Sequence, residues 1–133
     1  MKEPRALTFR CWRDDGLVTL SELLASLGQV IDGYRWRLVT HELISSRYQE
    51  IFETTGDSLV GTGQLIVLLG NDTQLVDGEL IAHGADGARV DLAVRALDST
   101  WWEVETAMQE VLDKLLLLYP DAEVLASRLP YEG

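Results

Sequence analysis

The sequence predicts an α+β two-layer sandwich, a mostly antiparallel sheet of five or six strands with two helices, or three, packed on one face. Three observations carry this. Val90, Leu92, Val94 and Ala96 alternate with Asp91, Ala93, Arg95 and Leu97, the period of a strand with one buried face. Residues 20–31 and 108–119 instead repeat apolar side chains at helical spacing. The strand-like segments succeed one another through short connections, which makes them antiparallel neighbours.

Taken in order, residues 6–12 alternate Leu7, Phe9 and Cys11 against Thr8, Arg10 and Trp12 and form a first strand. Asp14, Asp15 and Gly16 are turn residues. Thr19 and Glu22 have capping-box spacing ahead of Leu20, Leu23, Leu24, Leu27, Val30 and Ile31, so a helix starts there and closes at Asp32 and Gly33. Tyr34, Trp36 and Leu38 open a second strand that runs to about Ile44. Residues 47–53 fit a helical turn, and residues 54–63 are rich in Gly, Asp and Thr and read as loop. The apolar run 64–69 fits either a buried strand or a two-turn helix capped by Thr62 and ended by Gly70, and so short a run has no deciding period. Residues 74–83 form a strand with a bulge expected at Gly78, and residues 84–87 connect it as a hairpin to the strand at 89–97. Residues 101–106 fit two readings. Thr100 and Glu103 could cap a helix, or the segment is a further strand and Thr106 and Gln109 cap the last helix. Trp, Val and Thr suit a pleated surface, which favours the strand. The last helix carries Met108, Val111, Leu112, Leu115 and Tyr119 on one face and stops at Pro120. Leu24, Leu27, Leu92, Val94, Leu112 and Leu115 are expected to share one core.

One domain spans residues 1–133, a length that can bury a core. No apolar run approaches the roughly 20 residues that cross a membrane, and residues 1–5 carry charges rather than a signal sequence. A single cysteine, Cys11, cannot form an internal disulfide and reads as a small buried hydrophobe, so the expected location is the cytoplasm. Net charge is −11 and unevenly spread. Residues 48–88 contain no Lys or Arg and seven acids, Glu50, Glu53, Asp57, Asp72, Asp77, Glu79 and Asp86. Such a chain repels nucleic acid and anionic membranes. The acidity serves solubility by itself and also suits a basic partner protein.

Chemistry-bearing motifs are missing. His41 and Glu42 are adjacent on a strand and point to opposite faces. No HxH, HExxH or CxxC spacing suggests zinc, and Asp72, Asp77 and Glu79 lack the spacing of a calcium loop. Gly61, Thr62 and Gly63 have no lysine after them and do not make a phosphate loop. The sequence therefore predicts no catalytic residue, metal or cofactor, and a binding protein rather than an enzyme.

Trp101 and Trp102 are adjacent, so on a strand one of them must lie on the open side of the sheet. Tryptophan is enriched among interface anchors. The candidate partner-binding residues are Glu50, Glu53, Asp57, Asp72, Asp77, Glu79 and Trp102.

Two stretches, 74–81 (QLVDGELI) and 98–104 (DSTWWEV), with a terminal helix after them, resemble the immunity proteins that bacteria encode beside polymorphic or contact-delivered toxins. The resemblance implies a small cytosolic α+β protein that binds and blocks one toxin, and it assigns no individual binding residue. The acidic stretch at 48–88 suits that role where the toxin domain is basic, such as a nuclease-type domain, and the expected state is a monomer or weak homodimer. The competing expectation is a small-molecule binding module with an apolar, tryptophan-lined pocket on the open face of the sheet.

Overall fold

The computed structural model describes residues 4–14, 16–56, 58–84 and 90–126. In chain order they form β1 (Arg5–Arg10), β2 (Trp12–Arg13), β3 (Gly16–Leu17), α1 (Leu20–Leu27) with a 3-10 turn (Gly28–Ile31), β4 (Arg35–Ile44), α2 (Tyr48–Thr55), β5 (Val60–Gly61), α3 (Thr62–Leu69), β6 (Gln74–His83), β7 (Val90–Leu97), β8 (Trp101–Thr106), α4 (Gln109–Leu118) and β9 (Glu123–Ala126). Seven strands make one antiparallel sheet in the order β5-β4-β6-β7-β8-β1-β9, while β2 and β3 form a separate ribbon. The α+β class is as predicted, but the sheet exceeds five or six strands and there are four helices among the described residues. The additions are short. β5 is two residues, β9 is four, and α2 and α3 come from segments where the apolar pattern was weak or ambiguous.

The four helices bury their apolar sides in one core with one face of the sheet. Helix α1 touches α3 and α4, and α2 touches α3, so the layer runs α4, α1, α3, α2. Leu24, Leu27, Leu92, Val94, Leu112 and Leu115 meet in that core as expected. Helix α1 starts as predicted, with the Thr19 hydroxyl accepting from the Glu22 amide at 3.1 Å. It ends earlier than Asp32, because Gly28 adopts φ +63 and the chain tightens into the 3-10 turn. Residues 62–69 are helical, and Gly70 terminates them at φ +61. Thr62 acts differently from a cap. Its hydroxyl donates to the Ile31 carbonyl and accepts from the Trp36 indole at 2.8 Å, satisfying a buried ring nitrogen.

Residues 101–106 are a strand. Helix α4 begins at Gln109, where the Thr106 hydroxyl accepts from the Met108 amide at 3.1 Å. Tyr119 follows its last turn and stacks on Phe9 at 4.2 Å between ring centres, and Pro120 comes next. The expected irregularity near Gly78 is a pair of register shifts, one leaving His41 of β4 unpaired and the other leaving Val76 of β6 unpaired. Gly78 lies beside them, at φ +156, where a Cβ would sit 2.6 Å from the Val39 carbonyl oxygen. The expected connection at 84–87 lies outside the described residues beyond Gly84. No helix among the described residues is long and apolar enough to cross a membrane.

Candidate functional site

The structure disperses the acids of the 48–88 region. Glu50 and Glu53 are exposed on α2, where Gln49 donates to Glu53 at 3.1 Å. Asp57 lies outside the described residues. Asp72 is exposed after α3 and accepts from the Ser46 hydroxyl, a bond that holds its carboxyl below the usual range. Asp77 is half-buried on β6, in register with Glu42 of β4. Like charges directly opposite on paired strands are unfavourable. Among the described residues neither carboxylate has a hydrogen-bonding or ionic partner that relieves this.

Helix α2 is the most exposed apolar element of that region. The Ser45 hydroxyl accepts from the Arg47 amide at 3.1 Å and turns the chain out of β4. Ile51 and Thr55, one turn apart, face inward and are buried. Tyr48 and Phe52, also one turn apart, stack at 5.8 Å yet stay 48% and 54% exposed. Glu50 and Glu53 are exposed on the same helix, and Glu50, two residues from each ring, points to another side of it. Arg47 donates to the Val67 carbonyl at 3.1 Å, which draws the exposed Val67 of α3 beside the start of α2. An exposed aromatic pair on a helix that also carries two carboxylates has the composition of an interface anchor with a polar rim.

The tryptophan pair resolves against the sequence assignment. Trp102 shares a sheet face with Val104, is 2% exposed, and donates its indole N–H to the Val18 carbonyl at 3.0 Å. It is a core residue and cannot meet a partner. Trp101 is the outward one, 37% exposed, with the Arg10 guanidinium 5.6 Å from its ring centre. It borders a shallow depression of about 430 Å³ lined by Asp77, Leu97, Asp98 and Thr100. The β7–β8 turn beside it places Asp98 and Ser99 both at φ +57, unusual for residues other than glycine. The turn is held by Thr100 N–H to Leu97 O at 3.0 Å, Ser99 N–H to Val76 O at 2.8 Å and the Gln74 amide to the Ser99 hydroxyl at 2.7 Å.

Sequence reasoning missed a buried ionic cluster on the sheet face away from the helices. Arg95 stands directly between Glu79 of β6 and Glu103 of β8. Its guanidinium reaches Glu79 at 3.0 Å, Glu103 at 3.5 Å and Glu105 at short range. The Glu105 side chain is completely buried. Burial pulls the Arg95 pKa down, but Glu105, Glu103 and Glu79 more than reverse this and leave it raised. Glu79 is therefore engaged within the fold. The middle of that face is buried and holds the ionic cluster beside Ile81 and Ala93, and Trp101 sits at its end. One signal was available. A β7–β8 turn centred at residues 98–100 sets Arg95 opposite Glu103.

His41 is exposed at the β4 irregularity, and His83 ends β6 with a buried Nδ1 that has no partner among the described residues. Neither joins a nucleophile or a carboxylate dyad among the described residues. No group of three or more His, Cys, Asp or Glu side chains among them is placed to hold a metal ion. Comparison with known proteins finds no matching family model, no matching curated protein and no matching solved structure.

Proposed function

We propose that this chain is a cytosolic binding protein that captures one basic protein, in the manner of an immunity protein neutralising a basic toxin domain. The observation that carries the reading is α2, an exposed helix that bears the Tyr48–Phe52 stack together with Glu50 and Glu53. Buried aromatic anchors supply most of an interface's affinity, and a rim of one charge sign supplies speed and selectivity. A chain of charge −11 with this arrangement favours a partner of opposite charge.

The test is site-specific photocrosslinking in the source cells. A photoreactive phenylalanine at position 52 is expected to trap one predominant protein with a basic surface. The same residue at Leu117, which is 82% exposed on α4, serves as the control. Identical adducts from both positions, or a trapped protein that is acidic, would refute the proposal. Adding Tyr48→Ala should greatly reduce the adduct at position 52.

A further inference from the structure

We infer that the depression beside Trp101 receives an arginine side chain of the same partner, an inference that rests on the α2 reading and extends its surface across one end of the sandwich. Continuity is built into the hydrogen bonding. From the start of α2, Ser45 bonds Thr73 at 2.7 Å and Ser46 bonds Asp72. Gln74, next in sequence and in register with Ile44, bonds Ser99 at the β7–β8 turn. Trp101 and Asp98 adjoin that turn. The start of α2 and the Trp101 depression thus adjoin the same end of the sheet, with Asp72 on the loop before β6 and Asp77 lining the depression itself.

The depression has the chemistry of a guanidinium receptor. Asp77 and Asp98 supply two carboxylates with no ionic partner among the described residues, and Leu97 and Trp101 supply an apolar, π-rich wall. Asp77 also carries the unfavourable juxtaposition with Glu42, which an incoming cation would relieve. The Trp101 ring already accepts a guanidinium, because Arg10 lies against it. A planar, delocalised cation satisfies both the ring and a carboxylate, whereas an ammonium is a more strongly hydrated point charge. The arginine is therefore the favoured occupant over lysine.

The probe is the capped tripeptide Gly-Arg-Gly, titrated into isotope-labelled protein and tracked by amide and indole NMR shifts, with Gly-Lys-Gly and the neutral isostere Gly-citrulline-Gly alongside. Saturable shifts are expected at the Trp101 indole and the backbone amides of 76–78 and 97–101, weaker with lysine and absent with citrulline. The double variant Asp77→Asn, Asp98→Asn should weaken arginine-peptide binding by about two- to thirtyfold, the range of two surface ion pairs. Asparagine tolerates the left-handed conformation at position 98, so the turn survives. Absent or unsaturable shifts, equal shifts with citrulline, or binding unchanged by the double variant would overturn the inference. Tyr48→Ala with Phe52→Ala should leave tripeptide binding intact. Failure of the depression and failure of the α2 anchor are therefore read separately.

Discussion

Replacing Arg95 by Met tests whether the cluster is part of what holds the sheet together. The substitution keeps an unbranched side chain in β7 and removes the guanidinium that touches three carboxylates on two neighbouring strands. Glu105 would keep a fully buried side chain and Glu103 one that is 10% exposed. Removing one partner of a buried ion pair costs about 3–5 kcal/mol, because the remaining charge stays desolvated. Against a total stability of about 5–15 kcal/mol, that should lower the melting temperature by roughly 10–20 °C. The pH dependence identifies the cause. Without the cation, the completely buried Glu105 side chain is disfavoured as a carboxylate, so its folded-state pKa rises above the unfolded value of about 4.3. A raised folded pKa means the contribution is fully present below the unfolded value and lost as pH rises, so the deficit should be largest at neutral pH and shrink toward pH 4. Urea melts at both pH values measure it, and adding Glu105→Gln should recover at least about 1 kcal/mol. A deficit below about 1 kcal/mol at pH 7, or one independent of pH, would refute the argument.

Single sites give three further outcomes. Leu115→Ala should lose about 2–5 kcal/mol in chemical denaturation, since the side chain is fully buried beneath α1 and the sheet. Gly78→Ala should lose about 1–3 kcal/mol, because a methyl at φ +156 would press on the backbone of Val39 and Thr40. Burial pushes the Cys11 thiol up to about 12, so thiol reagents at pH 8 should label it only after unfolding. That raised pKa adds stability below the unfolded thiol's value of about 8.5 and loses it as pH climbs toward 12, so alkaline melts of Cys11→Ala should lack that loss.

Period and capping made much of this architecture legible, and each departure has a local cause. The 90–97 alternation placed Leu92, Val94 and Ala96 inward correctly. The 20–31 pattern ran through Gly28, whose left-handed conformation ends α1 while Ile31 still reaches the core from a 3-10 turn. The apolar run 64–69 had no deciding period, and only the burial of Leu65, Leu68 and Leu69 beside an exposed Val67 distinguishes the helix. Trp102 could have been assigned from parity, since it lies two residues from Val104 and must share its face. The acidic region was legible as composition but not as a surface. Whether an acid meets solvent or an arginine depends on which strand comes to lie beside it, and Glu79 and Arg95 are brought together only by the β6–β7 pairing.

That distinction changes how the electrostatic part of the proposal must be tested. A patch drawn from sequence includes Glu79, but a lysine there would face Arg95 and damage the fold, so slower binding by such a variant would carry no information. The informative set is Glu42, Glu50, Glu53 and Asp77 to Lys, all outside the Arg95 cluster and along the surface from α2 to the β7–β8 turn. Asp14, Asp32, Asp113 and Glu123 to Lys is the matched control, exposed on other elements. Each set moves the net charge from −11 to −3. With the protein trapped at position 52 as ligand, the first set should slow association about tenfold or more at low salt, with a flatter salt dependence, while the control stays within about twofold. Dissociation should change less, because it depends on Tyr48 and Phe52 rather than on the charged rim. Equal slowing by both sets would mean that net charge alone steers the encounter and that no patch exists. If neither set slows it, the acidity serves solvation, and the case for a basic partner loses its physical ground.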